Sequence, residues 1–417
     1  MSSPEASTAQ RPSAAAPARL DSVDVVRGAV MVLMLLDHMR DFTHEGGITS
    51  NPLDPATTTP ILYLTRWVTH LCAPTFVFLA GLGAGLQRLR GKPAPVLARF
   101  LWTRGLWLVV LELTVVRTVV SFNWDLSMLA FLQVIWAIGA AMIVLGALVR
   151  LPARVVGVVG VAIVLGHNLL DRFQATPWRG PGSVVPTPLG KLWMVLHQGG
   201  FFPIADFPGP IVIAMYPVLP WVGVMLAGYG ASVFYGWPRE RRRRVLVLLG
   251  LSMLVAFGAL RLLNVYGDPG PWAPQADALK TAMAFMNVQK YPPSALFVLA
   301  TLGAPLVFLG ATDGRAFGGG LGRALVTFGR VPLFFYVLQW IAAHAAGMLI
   351  TAARGHSVAP YFLNLVQMFF AEEPLHMGGP LWTTYVAWVS ATLLLYFPCR
   401  WFAGVKAQRR DWWLSYL

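Results

Sequence analysis

The chain has 417 residues, of which 56% are hydrophobic and only 12% charged, and its formal net charge is +14. A soluble domain carries about 25% charged residues because a water-facing surface needs them, so a globule of this size is excluded and lipid must solvate much of the surface. The basic excess would suggest nucleic acid on a soluble fold, but Arg and Lys fall in short clusters between apolar runs, the pattern of cytoplasmic loops, and no nucleic-acid partner is expected.

Residues 1–19 are rich in Ala, Pro and Ser and are expected to form a disordered cytoplasmic tail. They lack the basic-then-apolar order of a cleavable signal, so the first helix is expected to insert uncleaved. Taking about 20 apolar residues per crossing, the predicted spans are Val23–Arg40, Tyr63–Gln87, Phe100–Val119, Ser127–Val149, Val155–Leu170, Ile211–Tyr235, Val245–Asn264, Pro293–Gly310, Ala324–Thr351 and Leu381–Phe402. The fold class is therefore all-α, a polytopic integral membrane bundle of about ten transmembrane helices. Residues 20–403 form its membrane domain and residues 404–417 a cytoplasmic tail.

Orientation follows from basic residues in short loops. One set of loops holds Arg88, Arg90 and Lys92, then Arg150 and Arg154, then Arg239 with Arg241–Arg244, then Arg315 and Arg323, and the tail adds Lys406, Arg409 and Arg410. Between Asp41 and Arg66 there is no Lys or Arg, and between Ser121 and Met128 the only charge is Asp125. Both termini are therefore predicted to be cytoplasmic. The opposite loops, residues 171–210, 266–291 and 353–380, are longer and rich in aromatic residues and proline, and could shape an acceptor site. Cys72 and Cys399 read as small apolar residues. No disulfide framework or metal-ligand spacing follows from them, and no Walker loop or dinucleotide fingerprint is present.

The unusual chemistry is early in the chain. An ionisable group at a helix centre costs about 2.5–3.5 kcal/mol on insertion scales, yet the first span ends in Asp37, His38, Arg40 and Asp41. Asp37 and Asp41 are four apart and share a face, with His38 three before Asp41. A carboxylate against one imidazole nitrogen would fix the tautomer and leave the other nitrogen to take a proton. The second span adds Arg66 and His70, just before Pro74, which frees a backbone carbonyl and kinks the helix where these groups lie. His44 sits between the two spans. Lys290 and Tyr291, at the mouth of the eighth span, are candidate substrate ligands. Glu112 and Arg117, five apart, share a face poorly and are weaker candidates, and His344 reads as structural.

The string LDSVDVVRGAVMVLMLLDHMRDF, followed by LTRWVTHLCAPTFVFLAG, resembles the opening of the bacterial relatives of heparan-α-glucosaminide N-acetyltransferase. The later segments MYPVLPWVGVMLAGYG, NVQKYPPSALFVLATLG, FGRVPLFFYVLQW and RRDWWLSYL resemble that group too. The spacing of Arg27 and His38 is also similar to that of the wider membrane acyltransferase family that O-acetylates surface sugars. That second likeness implies His38 as the catalytic histidine. The heparan enzyme has Asn at that place, its essential His falls further on, near His44, and it has an acid where this chain has His70. The base is thus left among His38, His70 and His44, in that order.

The resemblance implies acyl transfer, usually of acetyl from cytoplasmic acetyl-CoA, to a sugar or lipid-linked acceptor, in a bacterial inner (plasma) membrane. No tightly bound cofactor and no metal is expected. Homo-oligomerisation and direct transfer versus an acyl-histidine intermediate stay open. On this reading Asp41 or Asp37 orients the base, Arg40 or Arg66 stabilises the oxyanion, and Arg27 meets CoA phosphates. Arg27 and His38 are about 16 Å apart along a helix, roughly the reach of a pantetheine arm. The rival reading is a transporter or flippase that uses the same buried Asp, His and Arg groups as a proton relay.

Overall fold

The structure, a computed structural model, describes residues 20–205, 207, 209–409 and 411–417; the predicted N-terminal tail and Arg410 lie outside the described residues. The helices are α1 (Asp21–Thr43), α2 (Pro60–Val68), α3 (Cys72–Leu89), α4 (Ala94–Leu111), α5 (Arg117–Ser121), α6 (Val134–Leu148), α7 (Ala153–Gly166), α8 (Pro188–Trp193), α9 (Val218–Ala231), α10 (Arg239–Leu263), α11 (Ala278–Met286), α12 (Ala295–Thr312), α13 (Gly320–Arg330), α14 (Pro332–Ala353), α15 (Leu365–Phe369) and α16 (Leu381–Gln408). Short strands are β1 (Met128–Leu132), β2 (Gly200–Pro203) and β3 (Ile211–Ala214). The chain is thus mostly helical, and among the described residues seven helices are long and apolar enough to cross a membrane. These are α2 running on into α3, α7 with its 3₁₀ extension to Leu170, α9 extended to Gly236, α10, α12, α14 and α16.

α1 is as long as these helices but carries Asp21, Asp24, Arg27, Asp37, Arg40 and Asp41, which lipid would not tolerate. It lies inside the bundle instead, packed against α13, α14, α16 and α3, and is buried around most of its circumference. A second group is built on α9, which packs on α3, α6 and α7, while α10 packs on α12. Between membrane helices small residues let backbones approach closely. A Cβ on Gly28 would meet the Leu325 carbonyl oxygen at 1.9 Å, and one on Gly329 would meet the Asp24 carbonyl oxygen at 1.9 Å. Gly28→Ala is therefore expected to push α1 from α13 and cost about 1–3 kcal/mol, read as a lowered Tm in detergent; an unchanged Tm would mean that the contact is looser than described.

Several predicted spans differ in detail. The fourth begins with a strand rather than a helix, and so does the sixth, because β-branched Ile211 and Val212 follow Pro210 and pair with their neighbours. β3 pairs in parallel with β1, Phe131 opposite Ile213, and antiparallel with β2, Phe202 opposite Val212. α9 then starts after Pro217. The third span contains a π-turn, Glu112–Val116, although Glu112 and Arg117 do not pair across it. Glu112 accepts from the Trp136 backbone N–H at 2.8 Å, and Arg117 donates to the Asp125 carbonyl at 2.7 Å. The ninth span is broken at Val331, whose φ of −130° and ψ of 51° leave the helical region, as expected for a residue before proline. α13 and α14 are therefore separate helices.

Candidate functional site

α1, α2 and the turn before α3 bring the predicted polar residues to one place. Pro74 has no N–H to offer the His70 carbonyl, and Thr69–Leu71 tighten into a 3₁₀ turn between α2 and α3. Arg66 and His70 thereby face the C-terminal end of α1. There a cavity of about 530 Å³ is lined by Asp37, His38, Arg40, Asp41, Arg66, His70, Lys290 and Tyr291. The other two predicted residues lie elsewhere. His44 caps α1, with Nδ1 3.3 Å from the Gly379 carbonyl, and does not line the cavity; burial lowers its pKa from the usual histidine value. Arg27 lines a second cavity.

Charges in the first cavity are tied together. Arg66 Nη1 donates to both Asp37 carboxylate oxygens, at 2.8 and 3.0 Å, and to the Thr69 hydroxyl at 3.0 Å. Arg40 Nη2 donates to Asp37 at 3.3 Å and also to Asp41. The expected carboxylate–imidazole pair is therefore not formed, because both acids are engaged by guanidiniums. His38 instead lies flat on Trp340, ring centroids 3.6 Å apart, with Tyr336 edge-on at 6.3 Å, and its Nδ1 is buried without a hydrogen-bond partner. His70 is buried with neither ring nitrogen partnered and packs on the edge of Phe297. Lys290 is buried over the Tyr291 ring, 5.0 Å from its centroid, and no acid pairs with it among the described residues. Three cations against two carboxylates leave the cavity net positive, an environment that favours an anion or a developing negative charge.

The second cavity, of about 300 Å³, has Arg27, Arg104, Arg330 and Lys406 among its lining groups, no acidic side chain, and otherwise mostly apolar walls including Met31, Met34, Phe76 and Tyr336. Arg27 is held by Asp24 at 3.1 Å and the Gly329 carbonyl at 2.9 Å. Among the described residues the two cavities have no lining residue in common, but α1 and α14 contribute to both. Met34 on α1 and Tyr336 on α14 line the basic one, and His38 and Trp340, each one turn further along, line the other. The chain folds back here as well, since Arg104 bonds the Ser415 carbonyl and Tyr416 the Thr103 hydroxyl.

A family model, Heparan-alpha-glucosaminide N-acetyltransferase, catalytic, matches residues 19–263. The chain belongs to this family. No curated protein matches it. Together with the apolar helices, membership makes the chain an integral membrane protein of an acetyltransferase family. The matched stretch runs from before α1 to the end of α10, so it contains all the charged groups of the first cavity except Lys290. Trp340, Tyr336 and Tyr216, which line one or other cavity, carry no charge and so did not stand out among the ionisable residues. They stand in FGRVPLFFYVLQW and MYPVLPWVGVMLAGYG, the same segments that carried the resemblance, so the signal was available in those strings.

Proposed function

We propose that this chain transfers an acetyl group from acetyl-CoA to a sugar or lipid-linked acceptor, with His38 as the base. The observation that carries this reading is the position of His38 and Trp340 one turn, about 5.4 Å, beyond Met34 and Tyr336, so that α1 and α14 each line the basic cavity and then the mixed-charge one. A long donor with a phosphate-bearing head fits a cavity with basic lining groups and largely apolar walls, and its thioester then comes to the imidazole. The acceptor enters the larger cavity from the other side. Its O–H or N–H gives its proton to His38 as the nucleophile attacks the thioester carbonyl. Lys290, which forms no ion pair among the described residues, faces the oxyanion. When the tetrahedral intermediate collapses, the C–S bond breaks and the CoA thiolate takes the proton from the imidazolium. Asp37, Arg40, Arg66 and Asp41 hold the wall in place, and His70 is the second candidate for the base.

On the same reading α1, α4 and α6 join the seven long apolar helices to make ten spans, both termini are cytoplasmic, and the membrane is a bacterial inner membrane. The basic lining residues of the smaller cavity then face the cytoplasm, where acyl-CoA is made. A homo-oligomer is compatible with this arrangement.

Incubation of purified protein with acetyl-CoA labelled in the acetyl group, beside membrane and cell-wall extracts, tests the proposal directly. Label should move to an acceptor, or be released slowly as acetate when none is present. A protein that neither binds nor turns over acetyl-CoA would overturn it and favour transport. Arg27→Gln is expected to raise KM for acetyl-CoA by roughly one order of magnitude, the size of a lost charge-assisted hydrogen bond, with kcat changed little. A fall in kcat at unchanged KM would argue that Arg27 does not meet the donor.

A further inference from the structure

Away from both cavities, three ligand-type side chains converge at the end of α7. His167 opens the 3₁₀ turn His167–Leu170, Asp171 follows it, and His197 lies in the π-turn Met194–Gln198 of the long connection to α9. His167 Nδ1 and His197 Nε2 are 3.3 Å apart, His197 Nε2 and Asp171 Oδ1 are 3.7 Å apart, and one ligand atom from each residue falls within 4.8 Å of the other two. Bonds of about 2.0–2.2 Å in a tetrahedral zinc site put neighbouring ligand atoms roughly 3.3–3.6 Å apart, so the two distances to His197 Nε2 are close to those of a site, and the third pair, within 4.8 Å, closes on the ion. As a side-chain hydrogen-bond cluster it is incomplete, because the contact between the rings is long for a hydrogen bond and that to the carboxylate lies outside the range, although His197 Nε2 bonds the His167 carbonyl at 3.0 Å.

The surroundings hold the three groups as ligands are usually held. Asn168 Nδ2 donates to Asp171 Oδ2 at 2.7 Å, leaving Oδ1 turned to the histidines. The other end of the same amide accepts from the Ala295 N–H at 2.8 Å, fixing it to the start of α12. Trp193 stacks on His197, centroids 4.9 Å apart. The two histidines are buried, with His167 Nε2 left without a hydrogen-bond partner of ordinary geometry, while the Asp171 side chain is 21% exposed and gives an ion and a water a way in.

We propose that His167, Asp171 and His197 bind a divalent zinc-class ion, with water as fourth ligand, which clasps the connection between α7 and α9 to the end of α7. Two imidazoles and one carboxylate suit zinc. The site lines neither cavity, so the ion stands apart from the transfer chemistry. The hydrogen bond from His197 Nε2 to the His167 carbonyl, 3.0 Å, gives way when the nitrogen ligates the ion, since one nitrogen cannot do both.

The test uses the full chain in detergent, with any affinity tag removed, stripped by a chelator and then given zinc chloride. Elemental analysis after gel filtration should find about one zinc per chain in the parent, and cobalt(II) in its place should show the visible bands of four-coordinate cobalt. His197→Ala and Asp171→Asn should bind zinc more weakly by roughly tenfold or more. Zinc should also raise the parent's Tm, with reversal by chelator, and leave the variants' Tm unmoved. A parent that retains no more zinc than His197→Ala overturns the proposal. If a variant does not fold, the parent's own chelator-dependent Tm decides, and a parent Tm indifferent to zinc and chelator means a hydrogen-bonded trio only.

Discussion

Replacing His38 by alanine is expected to lower acetyl transfer by about two to four orders of magnitude, the usual worth of a positioned general base, in a protein that still folds. The fold should survive because, among the described residues, His38 makes no hydrogen bond that the substitution would orphan. Its Nδ1 has no partner, and its chief contact is the face of Trp340. His44→Ala should retain near-parental turnover, since that ring meets the Gly379 carbonyl outside the cavity. His70→Ala is the discriminating comparison, because His70 lines the same cavity with both nitrogens unpartnered. Turnover measured with labelled acetyl-CoA for all three variants assigns the base. Retained activity in His38→Ala with loss in His70→Ala would move the chemistry across the cavity to the turn before α3.

The largest stability effect is expected at Asp37, not at a histidine. Asn at this position would leave the Arg40 and Arg66 guanidiniums, whose side chains are only 4% and 11% exposed, beside each other without their shared counter-charge. Removing one partner of a buried ion pair typically costs about 3–5 kcal/mol, and here a single carboxylate serves two cations. Asp41→Asn should cost less, because Asp41 pairs with Arg40 alone and is 27% exposed. Thermal denaturation in detergent should therefore rank parent, Asp41→Asn and Asp37→Asn in falling order. Equal Tm values for the two variants would mean that the Arg66 contact contributes nothing.

Apolar length made the helical, membrane-embedded character of the chain legible, because a run such as Ala295–Thr312 has no other stable use. Helix ends were legible where proline sets them, as at Pro380 before α16. The small sheet was not: Ile211–Ala214 is as apolar as the helix it precedes, and of its two partners Met128–Leu132 lies far upstream, beyond α6, α7 and α8, while only Gly200–Pro203 is close by in the chain. Nor does a chain pattern reveal that Val331 would leave the helix, except through the proline that follows it. The charged groups of α1 and α2 stood out because each is costly in lipid. Their partners did not, since spacing along one helix suggested Asp41 against His38, while the structure gives both acids to arginines, one of them on another helix. Trp340 bears no charge and gave no such signal. The three groups at the end of α7 escaped because His197 lies far along the chain from His167 and Asp171, in a connection with no regular period.

α1 runs unbroken from Asp21 to Thr43, passing both cavities, and this makes it a ruler as well as a wall. A loop can absorb an extra residue by bulging, but a packed helix cannot. One residue inserted between Arg27 and His38 would lengthen the interval by about 1.5 Å and also turn everything beyond it by about 100°, swinging the imidazole off the Trp340 face. The measured quantity is therefore a phase, which a change in count disturbs for every residue beyond it.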